Sequence, residues 1–152
     1  TTPSFDLERE IDQRFDIGGI TESQIAETAG LFVGEIEQIP PAHSAIKMGG
    51  ERVYEKARRG EDVAVKARKV LIRAFDITNV DMPHVEFRVV CSKGTYIRSL
   101  ASDFGKAMNN GAHLSQLRRT KIGDFSVDDA WQLPDLVKRI KGANFAASDE
   151  NI

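Results

Sequence analysis

The sequence predicts an α+β fold, a mixed and mostly antiparallel sheet flanked by helices, and three observations predict it. Residues 63–80 are rich in alternating β-branched side chains, and after Met82-Pro83-His84 the run Val85, Phe87, Val89, Cys91 alternates strictly. That is the pattern of an antiparallel hairpin with one buried face. Two other stretches carry apolar residues at helical spacing: Ile25, Ala29, Phe32 and Val33, then Ile97, Leu100, Ala101, Phe104 and Met108. Helices and strands follow one another irregularly, without the strand-helix-strand rhythm of a parallel sheet.

Each element has a local reason. Thr21-Glu22-Ser23-Gln24 is a capping box, in which the Thr21 hydroxyl accepts from the Gln24 amide and the Gln24 side chain reaches back. A helix over 21–33 is predicted, stopped by Gly34 and then by the Pro40-Pro41 pair. Gly49-Gly50 marks a turn, and residues 51–59 read as a short helix with Val53, Tyr54 and Ala57 inward, ended by Gly60. In the long strand, Val70 and Ile72 share one parity while Phe75 and Ile77 share the other, which predicts a bulge near Ala74. Lys93-Gly94 closes the hairpin, Thr95 is placed to cap the next helix, and Gly111 to stop it. Residues 114–127 read as an extended pair turning at Gly123-Asp124, and 134–140 as a last short helix. The domain is expected over 1–141, with 142–152 a flexible tail.

Composition narrows the function classes. At 152 residues, 41% hydrophobic and 29% charged, the chain suits one soluble, core-forming domain and excludes general disorder. No apolar run approaches the ~20 residues of a membrane-spanning helix, and the N-terminus lacks the regions of a secretory signal, so a cytoplasmic location is expected. The lone Cys91 and the scattered His43, His84 and His113 show no metal-ligand spacing. There is no Walker loop, dinucleotide fingerprint or Gly-x-Ser-x-Gly elbow. Opening on Thr-Thr-Pro without an initiator Met, the chain reads as a piece of something longer.

The net charge of −2 hides a division. Residues 1–40 hold two basic and nine acidic side chains, whereas 47–73 hold nine and four, and 91–121 hold six and one. Two basic blocks that converge would form an electropositive face suited to a phosphate backbone.

The densest chemistry is Cys91-Ser92-Lys93-Gly94-Thr95-Tyr96-Ile97-Arg98, which puts Tyr96 and Arg98 in the opening turn of a helix at a strand-to-helix junction. Tyrosine offers a flat face for stacking a base and a phenol for proton transfer, and arginine holds a carboxylate or phosphate through two parallel hydrogen bonds. On spacing alone, a Tyr96 that only packs and an Arg98 that only meets surface charge is the favoured reading.

Four motifs in order change the weighting: Pro40-Pro41-Ala42-His43-Ser44-Ala45-Ile46-Lys47, then Gly50, Tyr54, Ala57-Arg58 and Gly60, then Cys91 to Arg98, then Gly111-Ala112-His113-Leu114 with Leu117-Arg118-Arg119-Thr120. From about residue 20 to 127 the chain resembles the bacterial tRNA pseudouridine-55 synthases of the TruB family. The resemblance implies the later part of a pseudouridine synthase catalytic domain, which isomerises one T-loop uridine by breaking its N-glycosidic bond, turning the base and joining C5 to the ribose. It implies base flipping, with binding elsewhere on the T-arm offsetting a cost of roughly a few kcal/mol. It implies that Tyr96 stacks on the base and takes part in proton removal, that Arg98 pairs with the catalytic aspartate, and that Leu117 lies against the base. Lys47, Lys93, Arg118 and Arg119 are the matching candidates for binding the RNA, with Lys47 and Tyr54 open to a structural role. The implied partner is the T-arm stem-loop of tRNA, with no DNA or membrane partner, and no metal or organic cofactor is implied.

One departure stands out. The family's essential aspartate sits in a Gly-x-Leu-Asp-Pro segment, and none occurs in these 152 residues. Asp6, Asp103 and Asp128 match none of the family's catalytic positions, and the family's second active-site tyrosine and its His-bearing loop are absent too. The residues after Val127 are too few for a C-terminal RNA-binding domain. The isolated chain is therefore expected to be inactive. The alternative from a different class is a stand-alone RNA-binding module without catalysis.

Overall fold

The computed structural model describes residues 1–41, 47–48, 51–52 and 66–148. It divides into two compact units, 1–116 and 117–152.

In the first unit, helix α1 (Glu22–Gly30) leads into strand β1 (Gly34–Gln38), the short strands β2 (Lys47–Met48) and β3 (Glu51–Arg52), the long β4 (Arg68–Asp81), β5 (His84–Cys91) and helix α2 (Ile97–Ala107). The principal sheet runs β1-β4-β5, antiparallel throughout, and β2 pairs with β3 separately. The capping box forms in full: Gln24 N–H donates to Thr21 Oγ1 at 3.3 Å and Thr21 N–H to Gln24 Oε1 at 2.9 Å. The helix is shorter than its apolar spacing predicts. It ends at Gly30, and Phe32 N–H and Val33 N–H close turns back onto Ala29 and Gly30 before Gly34, at φ +118°, starts β1.

β1 itself is missed by the sequence reading. Its Gly-Glu-Ile-Glu-Gln has no strong strand propensity, and pairing with β4 decides the matter, with Ile36 opposite Val70 and Gln38 opposite Arg68. The hairpin of β4 and β5 is as expected. The anticipated bulge falls between Ile72 and Ala74, and a second shift lies between Ile77 and Asn79. Each shift flips parity, so Val70 and Ile72, then Phe75 and Ile77, then Val80 all turn to the same side. On that side α1 and α2 close the core of Ile25, Ala29, Ile72, Phe75, Leu100 and Phe104. Phe75 lies at its centre, with ring centroids 5.2 Å from Phe87, 5.6 Å from Phe104 and 6.3 Å from Phe32.

Two further expectations are corrected here. Residues 51–52 are strand, not helix, because Glu51 and Arg52 pair with Met48 and Lys47; the rest of that expected helix and the Gly49-Gly50 turn lie outside the described residues. Helix α2 stops at Ala107, short of Gly111, because Asn109 turns left-handed at φ +52° and its N–H bonds to Lys106 O.

In the second unit, β6 (Lys121–Ile122) and β7 (Phe125–Ser126) form a minimal hairpin about Gly123, at φ +55°. A 3₁₀ turn (Val127–Asp129) follows, and then α3 (Leu133–Ser148). The extended pair expected over 114–127 is confined to these four residues, and the helix runs through positions 142–148, which the sequence assigns to a tail.

Candidate active site

The strand-to-helix junction after β5 is built from local turns and distant clamps. Ser92 O accepts from Thr95 N–H and from the Thr95 hydroxyl, so Thr95 closes a turn and does not cap α2. Gly94 allows that turn by adopting φ +84°. Lys93 is exposed on it. The N-cap is Tyr96, which offers no capping side chain. Its backbone is held from β1: Tyr96 N–H donates to Gln38 Oε1 at 2.7 Å, and Gln38 Nε2 donates to Tyr96 O at 3.0 Å. Three residues after Tyr96, the Ser99 hydroxyl donates at 2.9 Å to the carbonyl of Ile39, the residue that follows Gln38. The Arg68 guanidinium stands 4.7 Å from the centre of the half-buried Tyr96 ring.

Arg98, in the first turn of α2, points at the N-terminal segment, where its Nη1 donates to Asp6 Oδ2 at 2.9 Å; both side chains are 23% exposed. Asp6 is delivered by a strained approach. Phe5 sits at φ +63°, its N–H donating to Thr2 O and its carbonyl accepting from Leu114 N–H at 2.8 Å, a conformation that costs a bulky residue about 1–2 kcal/mol. Burial pushes the Asp6 carboxyl up, but hydrogen bonds from the Ser4 hydroxyl, the Glu8 N–H and Arg98, with the charge of Arg98, bring it below the usual carboxylate range. The Asp6 carboxyl is thus ionised at neutral pH.

Of the sequence candidates, Tyr96, Arg98 and Lys93 lie together on this junction. Lys47 lies in β2. Leu117, Arg118 and Arg119 are exposed in the second unit, where Arg119 lines an open hollow with Lys121, Ile122 and Phe125. Asp6, Gln38 and Arg68 are the residues that sequence reasoning misses. Gln38 stands two positions before the Pro-Pro motif, yet nothing local marks its partner, and Asp6 lies 92 residues from Arg98.

Comparison with known proteins bears on this junction. The model of the N-terminal domain of TruB family pseudouridylate synthases matches residues 1–97, ending between Tyr96 and Arg98, and the model of the tRNA pseudouridylate synthase B C-terminal domain matches 98–149. The chain belongs to the TruB family. Among its relatives, the tRNA pseudouridine synthase B of Flavobacterium johnsoniae is 60% identical over 130 residues, 86% of this chain and 57% of that protein. The synthase B of Clostridium tetani is 43% identical over 135 residues, 89% of this chain and 47% of its own length. The chain spans about half the length of the curated relatives it matches. A chain in the crystal structure of a Cbf5-Nop10-Gar1 complex superposes with a TM-score of 0.64 at 34% identity, over 80% of this chain and 32% of that one. The α+β architecture is thus shared with that solved structure.

Proposed function

We propose that this chain forms the tyrosine and arginine side of the uridine pocket in a cytoplasmic tRNA pseudouridine synthase acting on the T-loop. The observation that carries the reading is the junction of β5 and α2, where Cys91 to Arg98, the stretch by which the chain resembles the family, holds Tyr96 half-buried and Arg98 paired to a carboxylate. Tyr96 supplies a flat face for the flipped base and a phenol beside it. Arg98, fixed by Asp6, presents a planar cation that orients the nucleophilic aspartate of a Gly-x-Leu-Asp-Pro segment contributed by another part of the complete protein. Lys47, Lys93, Arg118 and Arg119 contact the phosphates of the T-arm, and Leu117 lies against the base. The chemistry uses side chains and the bound RNA, without a cofactor.

The test is tritium release from a T-arm transcript labelled at uridine C5, incubated with the protein encoded by the complete reading frame that contains these residues. Release at the T-loop uridine is expected. Salt-sensitive binding of the T-arm without any release would replace this reading with the RNA-binding module, which the absence of Gly-x-Leu-Asp-Pro from these 152 residues favours.

A further inference from the structure

Gln38 is 1% exposed, at the end of a strand whose inward neighbour Ile36 is aliphatic. A buried carboxamide is tolerated only when both its ends are bonded. Both ends of Gln38 go to the same residue, the acceptor to Tyr96 N–H and the donor to Tyr96 O, so the side chain imitates one rung of an antiparallel ladder. It does so where the helix has no capping side chain of its own, and it also fixes the backbone from which the Tyr96 ring projects. Its cross-strand partner Arg68 lies on the same face of the sheet and steadies the ring. Among the described residues the Arg68 Nε and Nη2 are buried without hydrogen-bond partners, and the guanidinium lies over that ring.

We propose that Gln38 is a positioning residue for Tyr96, with Arg68 its partner at the ring, so that β1 sets where the tyrosine meets the base. The proposal rests on the pocket reading given above. A role in stability alone would end at satisfying the backbone N–H and C=O of Tyr96; a positioning role predicts in addition that loss of the two hydrogen bonds changes turnover.

The experiment compares the complete protein with Gln38→Met, nearly isosteric but without the two hydrogen bonds, and with Gln38→Glu. For Gln38→Met, kcat is expected to fall roughly 10- to 100-fold while KM for the T-arm transcript moves less than about threefold. For Gln38→Glu, the ionised carboxylate still accepts from Tyr96 N–H but faces Tyr96 O without a proton. Its kcat relative to the parent is expected to rise as pH falls and the carboxyl regains an O–H donor, whereas the ratio for Gln38→Met stays flat. In protein labelled with ¹⁵N-tyrosine, the Tyr96 amide signal, assigned by its loss in Tyr96→Phe, is expected to shift and exchange faster in Gln38→Met. A folded Gln38→Met with parental kcat, an unmoved Tyr96 amide, or a Gln38→Glu ratio without pH dependence would each overturn the proposal. An inactive parent would overturn the pocket reading instead, and the amide signal would then decide by itself whether Gln38 holds Tyr96.

Discussion

Arg98 and Asp6 meet at 2.9 Å across 92 residues of chain, joining the first turn of α2 to an N-terminal segment that has no helix or strand of its own. A backbone bridge lies alongside, between Asp6 and Leu114. The ion pair therefore ties the segment to the helix and aims the guanidinium at the same time.

Because the Asp6 carboxyl titrates below its ordinary value, its contribution is complete above about pH 4 and is lost as pH falls through the folded-state value. Asp6→Asn keeps the shape and the Glu8 N–H acceptor but loses the charge. Urea unfolding at pH 7 is expected to show a loss of about 1–2 kcal/mol, and the gap to the parent should narrow as pH falls below about 4.

On the proposed function, Arg98→Ala in the complete protein should lower turnover by roughly 100-fold or more while the Kd for tRNA changes little, since the proposed partner of Arg98 is a carboxylate and not a phosphate. Single-turnover kinetics beside filter binding separate the two effects. Equal losses in both would make Arg98 a phosphate contact.

Thr21→Ala removes half of the capping box and is expected to cost about 1 kcal/mol. Gln24→Ala on top of it should cost less than Gln24→Ala alone, because the two side chains cap reciprocally; denaturant midpoints of the four proteins give the coupling.

Gly105→Ala would ordinarily favour a helix by about 1 kcal/mol. At this position a Cβ would collide with the backbone of Ala112 and Gly111, which no rotamer change can relieve. Net destabilisation of about 1–3 kcal/mol is expected by thermal unfolding, together with looser packing of the 109–114 segment on α2.

Burial pushes the His113 imidazole down against a smaller upward pull from Asp6. The unfolded chain therefore binds more protons than the folded one below about pH 6.5. Stability is full above that pH and declines as pH falls toward the folded-state value. His113→Gln should flatten this part of the profile, read from urea midpoints at several pH values between neutrality and mild acid.

Short-range patterns of this sequence determined a good part of the molecule. The Thr21-Gln24 box starts α1, the alternation of Val85 to Cys91 makes β5, and the parity change in β4 marks the first bulge, since each depends on neighbours a few residues away. Cys91 to Arg98 also marked the candidate site. Only the tertiary structure decided that Gly34–Gln38 is a strand, that α2 is capped by Tyr96 and ends before Asn109, and that Gln38 and Asp6 serve Tyr96 and Arg98. The physical reason is that a glutamine or an aspartate has the same local preferences whether it faces water or a partner 58 or 92 residues away. Which of these it does is settled by how sheet and helices pack, and one sequence alone carries no periodic signal of that.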